Sequence, residues 1–300
     1  MALHGEDVPD RDPRAAVQNR AGIGLKAQHY REILATRPEV GWFEVHTENY
    51  MGAGGAPHHY LSAIRENYPI SLHGVGLSLG GADPIDKDHL ARTRAVIDRY
   101  EPAFVSEHLA WSKLDDKHFN DLLPVPRTSE ALDIVVNHID EVQNFLGQEI
   151  LIENPSTYLE FARNSMSEPE FLVALAQRSG CRLLIDVNNV YVSAKNHGFD
   201  AISWLSEIPA HLVEEIHLAG HTVEHVGHDE LYIDDHGSSV SPVVWALYEY
   251  FIDRIGPKPT LIEWDNNIPK LSDWMFEADR AQSVLSQKFV ACKEPEIANA

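Results

Sequence analysis

Several things that would suggest a function are scarce in this chain. Two cysteines, Cys181 and Cys292, supply neither a disulfide framework nor a thiolate cluster for a metal. Nowhere do apolar residues run for the ~18 positions that a membrane-crossing helix needs. Residues 1–20 are polar and rich in Asp, Arg and Pro, without the apolar stretch of a secretion signal. A cytoplasmic protein with no membrane insertion is therefore expected. Positive charge is short as well: 24 Lys and Arg stand against 46 Asp and Glu, a formal net charge of −22, and no basic cluster interrupts it. Such a surface repels a phosphate backbone, so nucleic acid is not an expected partner. Internal repeats and low-complexity segments are also missing.

With 300 residues, 44% of them hydrophobic, the chain can bury one sizeable core. Short apolar runs alternate with longer amphipathic segments. The runs are GIGL near Gly22, then GWFEVH, ISLH, FVSEH, ILIE, LLID, EEIH and TLIE. They are near-continuous and rich in β-branched residues, as strands covered on both faces are. Eight such strands joined by crossovers predict an α/β fold, a (β/α)8 TIM barrel. The catalytic domain is placed at residues 21–287, between a flexible N-terminal segment (1–20) and a C-terminal tail (288–300). Residues 128–147 read as a helix with Ala131, Ile134, Val135, His138, Val142 and Phe145 on its inner face and Gly147 as its stop. A second helix starts at Ser167, where Ser167 and Glu170 have capping-box spacing around Pro169. Two connections, 111–127 and 220–240, are long for plain crossovers, and loops of that length tend to carry substrate contacts.

Seven of these runs end on a histidine, aspartate or glutamate: His46, His73, His108, Glu153, Asp186, His217 and Glu263. Strand C-termini of a barrel converge on one mouth, so these residues predict a metalloenzyme site. His73, His108, Glu153, Asp186, His217 and Glu263 offer more ligands than one ion takes. A carboxylate can bridge ions about 3.5–4 Å apart, so the set suits a binuclear or trinuclear centre. Asp234 and His236 of LYIDDHG, with Asn189, could hold a third ion. Nitrogen and oxygen ligands without thiolate fit iron, manganese or zinc and do not choose among them. His46, Glu48 and Asn49 of HTEN are read as catalytic candidates that carry protons or orient ligands. Singly, a histidine ending a strand is more often structural and a carboxylate there more often a helix cap; their joint placement favours metal. His221, His225 and His228 read as solvated loop residues, and His58 and His59 likewise as loop. His118 and His197 could reach a substrate, while Trp111, Trp204, Trp264 and Trp274 read as packing.

The motifs FEVHTENYM, SLHGVGLSLGG, SEHLAWS, LLPVP, LIENPSTYL, LIDVNNVYVSAKNHGFD, EIHLAGH, DDHG and LIEWDNNIP follow one another over roughly residues 21–285. In this order they resemble the multinuclear non-haem iron-dependent oxidative enzymes, among them the oxidases of methanobactin, thiaglutamate and bufferin biosynthesis. The resemblance implies a xylose isomerase-like barrel holding two or three iron ions, mixed Fe(II)/Fe(III), with dioxygen as cosubstrate. It also implies oxidative modification of a ribosomally synthesised precursor peptide, commonly at cysteine, and a separate partner protein that presents the peptide. By the ligand order of the related endonuclease IV, His73, His108 and Glu153 would hold one ion. A bridging Glu153 would join Asp186, His217 and Glu263 around a second, and Asn189, Asp234 and His236 would hold a third. Endonuclease IV has a histidine where this chain has Asn189, so the third ion is expected to be loosely held or missing. A metal-dependent hydrolase or isomerase of the endonuclease IV and xylose isomerase kind is the competing expectation.

Overall fold

The computed structural model describes residues 12–115, 117–227 and 229–297, with side chains through residue 288. Strands β1 (Ala21–Gly24), β2 (Phe43–His46), β3 (Ile70–Gly74), β4 (Val105–His108), β7 (Leu151–Glu153), β8 (Arg182–Asp186), β9 (Val213–Leu218) and β12 (Thr260–Ile262) close into a barrel. Every neighbouring pair is parallel, including β1 with β12, so no edge is left open. Helices α1 (Pro13–Val17), α2 (Tyr30–Thr36), α3 (Ala56–Arg65), α4 (Lys87–Tyr100), α5 (Ser129–Leu146), α6 (Glu168–Ser179), α7 (Val187–His197), α8 (Ala201–Glu207), α9 (Pro242–Ile255) and α10 (Leu271–Ile297) complete the helical set. No helix among the described residues is long and apolar enough to cross a membrane.

Local signals set the helix ends. Thr128 caps α5 and Gly147, at φ 67°, ends it. Ser167 and Glu170 form the expected capping box on α6. The buried stripe of α5, however, is Leu132, Val135, Val136, Ile139, Val142 and Leu146, whereas Ile134 and Phe145 are exposed. The inner face is thus rotated by about one position from the expected one: the helix turns its i, i+3, i+4 series from Leu132 to the barrel. His58 is not in a loop but buried on α3, where it meets the Tyr100 hydroxyl at 2.6 Å. Each of the two long connections folds into a hairpin, β5 (Trp111–Leu114) with β6 (Lys117–Leu123), and β10 (Thr222–Val226) with β11 (Asp229–Ile233).

The barrel interior changes character along its axis. At the strand N-terminal end, Val17, Trp42, Ala103, Phe104, Leu151, Leu184 and Leu261 form an apolar plug. Any side chain at Gly22 would collide with the Trp42 ring. Helix α1 lies inside the segment expected to be loose, and its Val17 is fully buried in this plug, which fixes the helix in place. The 288–300 tail likewise begins within α10, where Lys288 pairs with Asp253 of α9. At the other end, register aligns His46 with His73, His108 with Glu153, and Asp186 with His217.

Candidate metal centre

Strand register brings His73, His108 and Glu153 to one point. Glu153 Oε2 lies 3.1 Å from His73 Nε2 and 3.1 Å from His108 Nε2, and the two nitrogens are 3.3 Å apart. His108 Nδ1 is 3.1 Å from the Gly74 carbonyl, which can only accept, so Nδ1 carries the proton. The Ser106 hydroxyl donates to the Leu72 carbonyl and is left to accept from His73 Nδ1 at 2.7 Å. Both Nε2 atoms therefore turn lone pairs toward a carboxylate oxygen that has no hydrogen-bond donor. Three electron-rich atoms facing one another in a buried site repel unless a cation sits among them. Bonds of about 2.1 Å from one ion set neighbouring ligand atoms roughly 3.0–3.4 Å apart, which is the size of this triangle.

A second group shares Glu153. Donor atoms of Glu153, Asp186, His217 and Glu263 all lie within 4.8 Å of one another. His217 Nδ1 faces Glu263 Oε2 at 3.2 Å and Glu153 Oε1 at 3.8 Å, so the two oxygens of Glu153 point to different groups. Asp186 caps α7, its Oδ1 accepting from the Asn189 amide at 2.7 Å, while its Oδ2 is buried without a partner. The electrostatics favour positive charge at this site. Burial opposes protonation of His73, yet Glu153 at contact distance and Glu44 push it up to about 10. Burial, with Asp234 and Glu153 nearby, raises Asp186 well above the usual carboxylate range. Without an ion, protons would take its place.

The third expected group is looser. Asp234 Oδ1 lies 2.7 Å from His236 Nε2, but it also accepts from Asn188 Nδ2 at 2.7 Å. Among the described residues, no cluster of three His, Cys, Asp or Glu ligands includes this pair. Asn189 donates its amide to the Asn154 carbonyl at 3.1 Å, which leaves its Oδ1 buried and unpartnered. Asn189, Asp234 and His236 line one cavity of about 300 Å³ with His46, His73, His108 and Glu263. Of the HTEN residues only His46 reaches this cavity. Glu48 turns to the Val75 amide at 3.1 Å and to His89, and Asn49 is exposed, because the short helix Thr47–Tyr50 rotates successive side chains away from the mouth.

Other histidines stand elsewhere. His221 is half-buried on Asn188 Oδ1 at 2.8 Å, His225 is exposed, and His228 lies outside the described residues. His118 faces a neighbouring cavity and His197 holds Thr157, so neither lines the metal cavity. Trp204, Trp264 and Trp274 are buried as packing residues.

Residues that the sequence reading passed over complete the surroundings. Asp265 pairs with Lys26 and lies 3.5 Å from His46 Nε2 and 3.6 Å from His236 Nδ1. Burial opposes its ionisation, but His236, His46 and Lys26 hold it far below the usual carboxylate range. Glu44 and Glu215, both buried, flank His217 Nε2 at 3.4 and 3.5 Å. Burial and Glu44 push Glu215 up to about 7. A signal for the last two was available: E-x-H recurs in β2 and β9, and residues two apart on a strand share a face.

Comparison with known proteins places the chain in a family. The family described as RiPP precursor modification enzyme MbnB/TglH/ChrH matches residues 20–286. A UPF0276 protein of Rhizobium meliloti is 51% identical over 280 residues, spanning 92% of this chain and 90% of its own. One from Caulobacter sp. is 53% identical over 266 residues, with 89% and 96% covered. Among solved structures, a D-psicose 3-epimerase aligns with TM-score 0.56 at 13% identity over 89% of this chain and 97% of its own. Endonuclease IV of Thermus thermophilus aligns with TM-score 0.56 at 14% identity, covering 89% and 99%. These structures share the xylose isomerase-like barrel, and at such identity they speak for the fold alone. The motifs, the match across nearly the whole barrel and the relatives at half identity together place the chain: it belongs to the multinuclear non-haem iron-dependent oxidative enzymes, the MbnB/TglH/ChrH family of RiPP precursor modification enzymes.

Proposed function

We infer that this protein oxidatively modifies a ribosomally made, cysteine-containing precursor peptide, using iron and dioxygen. The observation that carries the reading is the His73, His108 and Glu153 triangle, whose lone pairs and shared carboxylate fit a cation. Its extension through the other oxygen of Glu153 to Asp186, His217 and Glu263 supports two adjacent ions. Iron bound there would supply one-electron redox chemistry with dioxygen and would lower the pKa of a substrate thiol. No cysteine is among the candidate ligands, so a peptide thiolate would meet no competing protein sulfur.

The chain's own side chains have definable tasks in this reading. Glu153 holds the two groups at a fixed separation. Ser106 and the Gly74 carbonyl keep His73 and His108 in the tautomer whose Nε2 is free. Lys26 anchors Asp265, which orients His46 at the mouth, and His46 Nε2 can take up or release a proton there. Asn120, Asp121 and Leu122 of β6 line one wall of the entrance, and Asp234 and Asp235, just past β11, line another. An extended peptide can pass between the two hairpins. A separate protein that presents the peptide belongs to this reading, and exposed Leu114, Phe119, Val223 and Val226 on the hairpins offer it apolar contact.

The test is co-expression with short cysteine-containing peptides encoded beside the gene, followed by mass spectrometry, iron analysis and oxygen uptake. A mass change at cysteine that requires iron and consumes oxygen is expected. Full turnover in strictly anaerobic solution, or with iron replaced by zinc, would point instead to the hydrolase or isomerase chemistry found on similar barrels.

A further inference from the structure

Beneath the rim of the barrel, one strand repeat closer to the apolar plug, two glutamates occupy positions that no packing need accounts for. Glu44 of β2 and Glu215 of β9 are 3% and 0% exposed, and His217 between them is 0% exposed. Among the described residues, no lysine or arginine forms an ion pair with either carboxylate; the imidazole within 3.5 Å of both is His217. Glu44 Oε2 and both oxygens of Glu215 are buried with no hydrogen-bond donor. Burying carboxyl groups without donors destabilises a fold, whereas leucine or methionine would fill the same volume at no such penalty. At the equivalent positions of β7, β8 and β12 stand Leu151, Leu184 and Leu261, and β3 and β4 carry the small residues Ser71 and Ser106.

The geometry around His217 says what the pair is for. Its Nδ1 faces the candidate ligands, Glu263 Oε2 at 3.2 Å and Glu153 Oε1 at 3.8 Å. Its Nε2 faces away from them, toward Glu44 Oε1 at 3.4 Å and Glu215 Oε1 at 3.5 Å. A neutral imidazole carries one proton, so an Nδ1 that gives its lone pair to an ion must leave the proton on Nε2. Two carboxylate oxygens, one from β2 and one from β9 itself, then face that proton. They fix the ring about its Cβ–Cγ axis and raise the basicity of Nδ1. His73 is held by a hydroxyl and His108 by a carbonyl with Glu107 Oε1 3.9 Å from its Nδ1, whereas His217 has two carboxylate oxygens within 3.5 Å of its far nitrogen. A separate cation bound by Glu44, Glu215 and His217 Nε2 is the competing arrangement, and it would require the imidazole to ligate through both nitrogens.

We propose that Glu44 and Glu215 are positioning residues for His217, holding its Nε2–H so that Nδ1 is presented to the ion shared with Asp186 and Glu263. The proposal rests on the metal-centre part of the functional reading and not on peptide, cysteine or dioxygen. Glu44→Gln, Glu215→Gln and the double variant keep side-chain shape and an acceptor oxygen while removing charge. The full-length protein and each variant are loaded anaerobically with Fe(II), and separately with Co(II), then challenged with graded chelator; metal content, the Co(II) visible spectrum and the melting temperature of the metal-free form are recorded.

The double variant is expected to hold the Asp186–His217–Glu263 ion about 10–100-fold more weakly, the range for removing such supporting groups, with the His73–His108 ion unchanged. Its Co(II) spectrum should shift. Single variants should fall between, which also covers failure of the double variant to fold. Unchanged metal retention and spectrum with a lower melting temperature would overturn the proposal in favour of a purely structural pair. Loss of one whole ion per chain, with the remaining ions held as tightly as before, would overturn it in favour of a separate cation site. Since only metal alone is added, failure to find an oxidised peptide would leave these readings untouched.

Discussion

The two ends of the barrel are built on the same strands and obey opposite rules. At the strand N-terminal end, Leu151, Leu184 and Leu261 meet Trp42, Phe104 and Val17 in an apolar cluster. At the mouth, two residues further along those strands, Glu153, Asp186 and Glu263 are buried, and Glu153 Oε2 and Asp186 Oδ2 lack donors. The alternation of a strand places both sets inward, so sequence position along the strand decides whether a side chain serves cohesion or chemistry. One end stabilises the fold and the other draws on that stability.

Glu153→Ala tests the contrast most severely. Removing the carboxylate whose two oxygens face separate groups should abolish loading of both ions and all turnover, read by metal analysis, while the metal-free barrel stays folded. Full iron content in that variant would sink the assigned geometry. At the other end, Trp42→Ala should destabilise by about 3–5 kcal/mol in denaturant unfolding, with metal stoichiometry intact in the folded fraction. Acidity should separate the ends next. His73, raised from 6.5 to about 10 in the metal-free protein, stabilises that form fully below pH 6.5, and the contribution is lost as pH rises through 10. Metal uptake, which needs these imidazoles unprotonated, should strengthen with pH and release protons, measurable by calorimetry in buffers of different ionisation enthalpy. The smallest expected effect is that of Asn189→Ala, which should spare the first two ions and weaken the third; loss of all iron would show that its amide oxygen serves the main pair.

Much of this was legible in the chain because barrel strands are short and their last residues must face the mouth. His73, His108, Glu153, Asp186, His217 and Glu263 announce themselves by ending apolar runs, and the structure brings them together. Glu48 and Asn49 follow His46 closely in sequence, yet a short helix turns them away from the cavity that His46 lines. Lys26, Asn188 and Asp265 lie where no strand periodicity fixes direction, and only three-dimensional contact reveals their attachment to Asp234, His236 and His46. The α5 stripe was misplaced because Ile134 and Phe145 are apolar yet solvent-facing, and a helix with apolar residues on more than one side has no unique inward reading.

Asp186 belongs to two machines at once. One of its oxygens starts helix α7, and the other looks into the ion pocket. Further along that helix, Asn196 clasps Tyr232 of the β10–β11 hairpin through paired bonds of 2.9 and 3.0 Å, and Asn188 grips Asp234. The pocket wall and the wall of its entrance are therefore carried by one helix, and whatever sets the position of Asp186 also sets that of the hairpin.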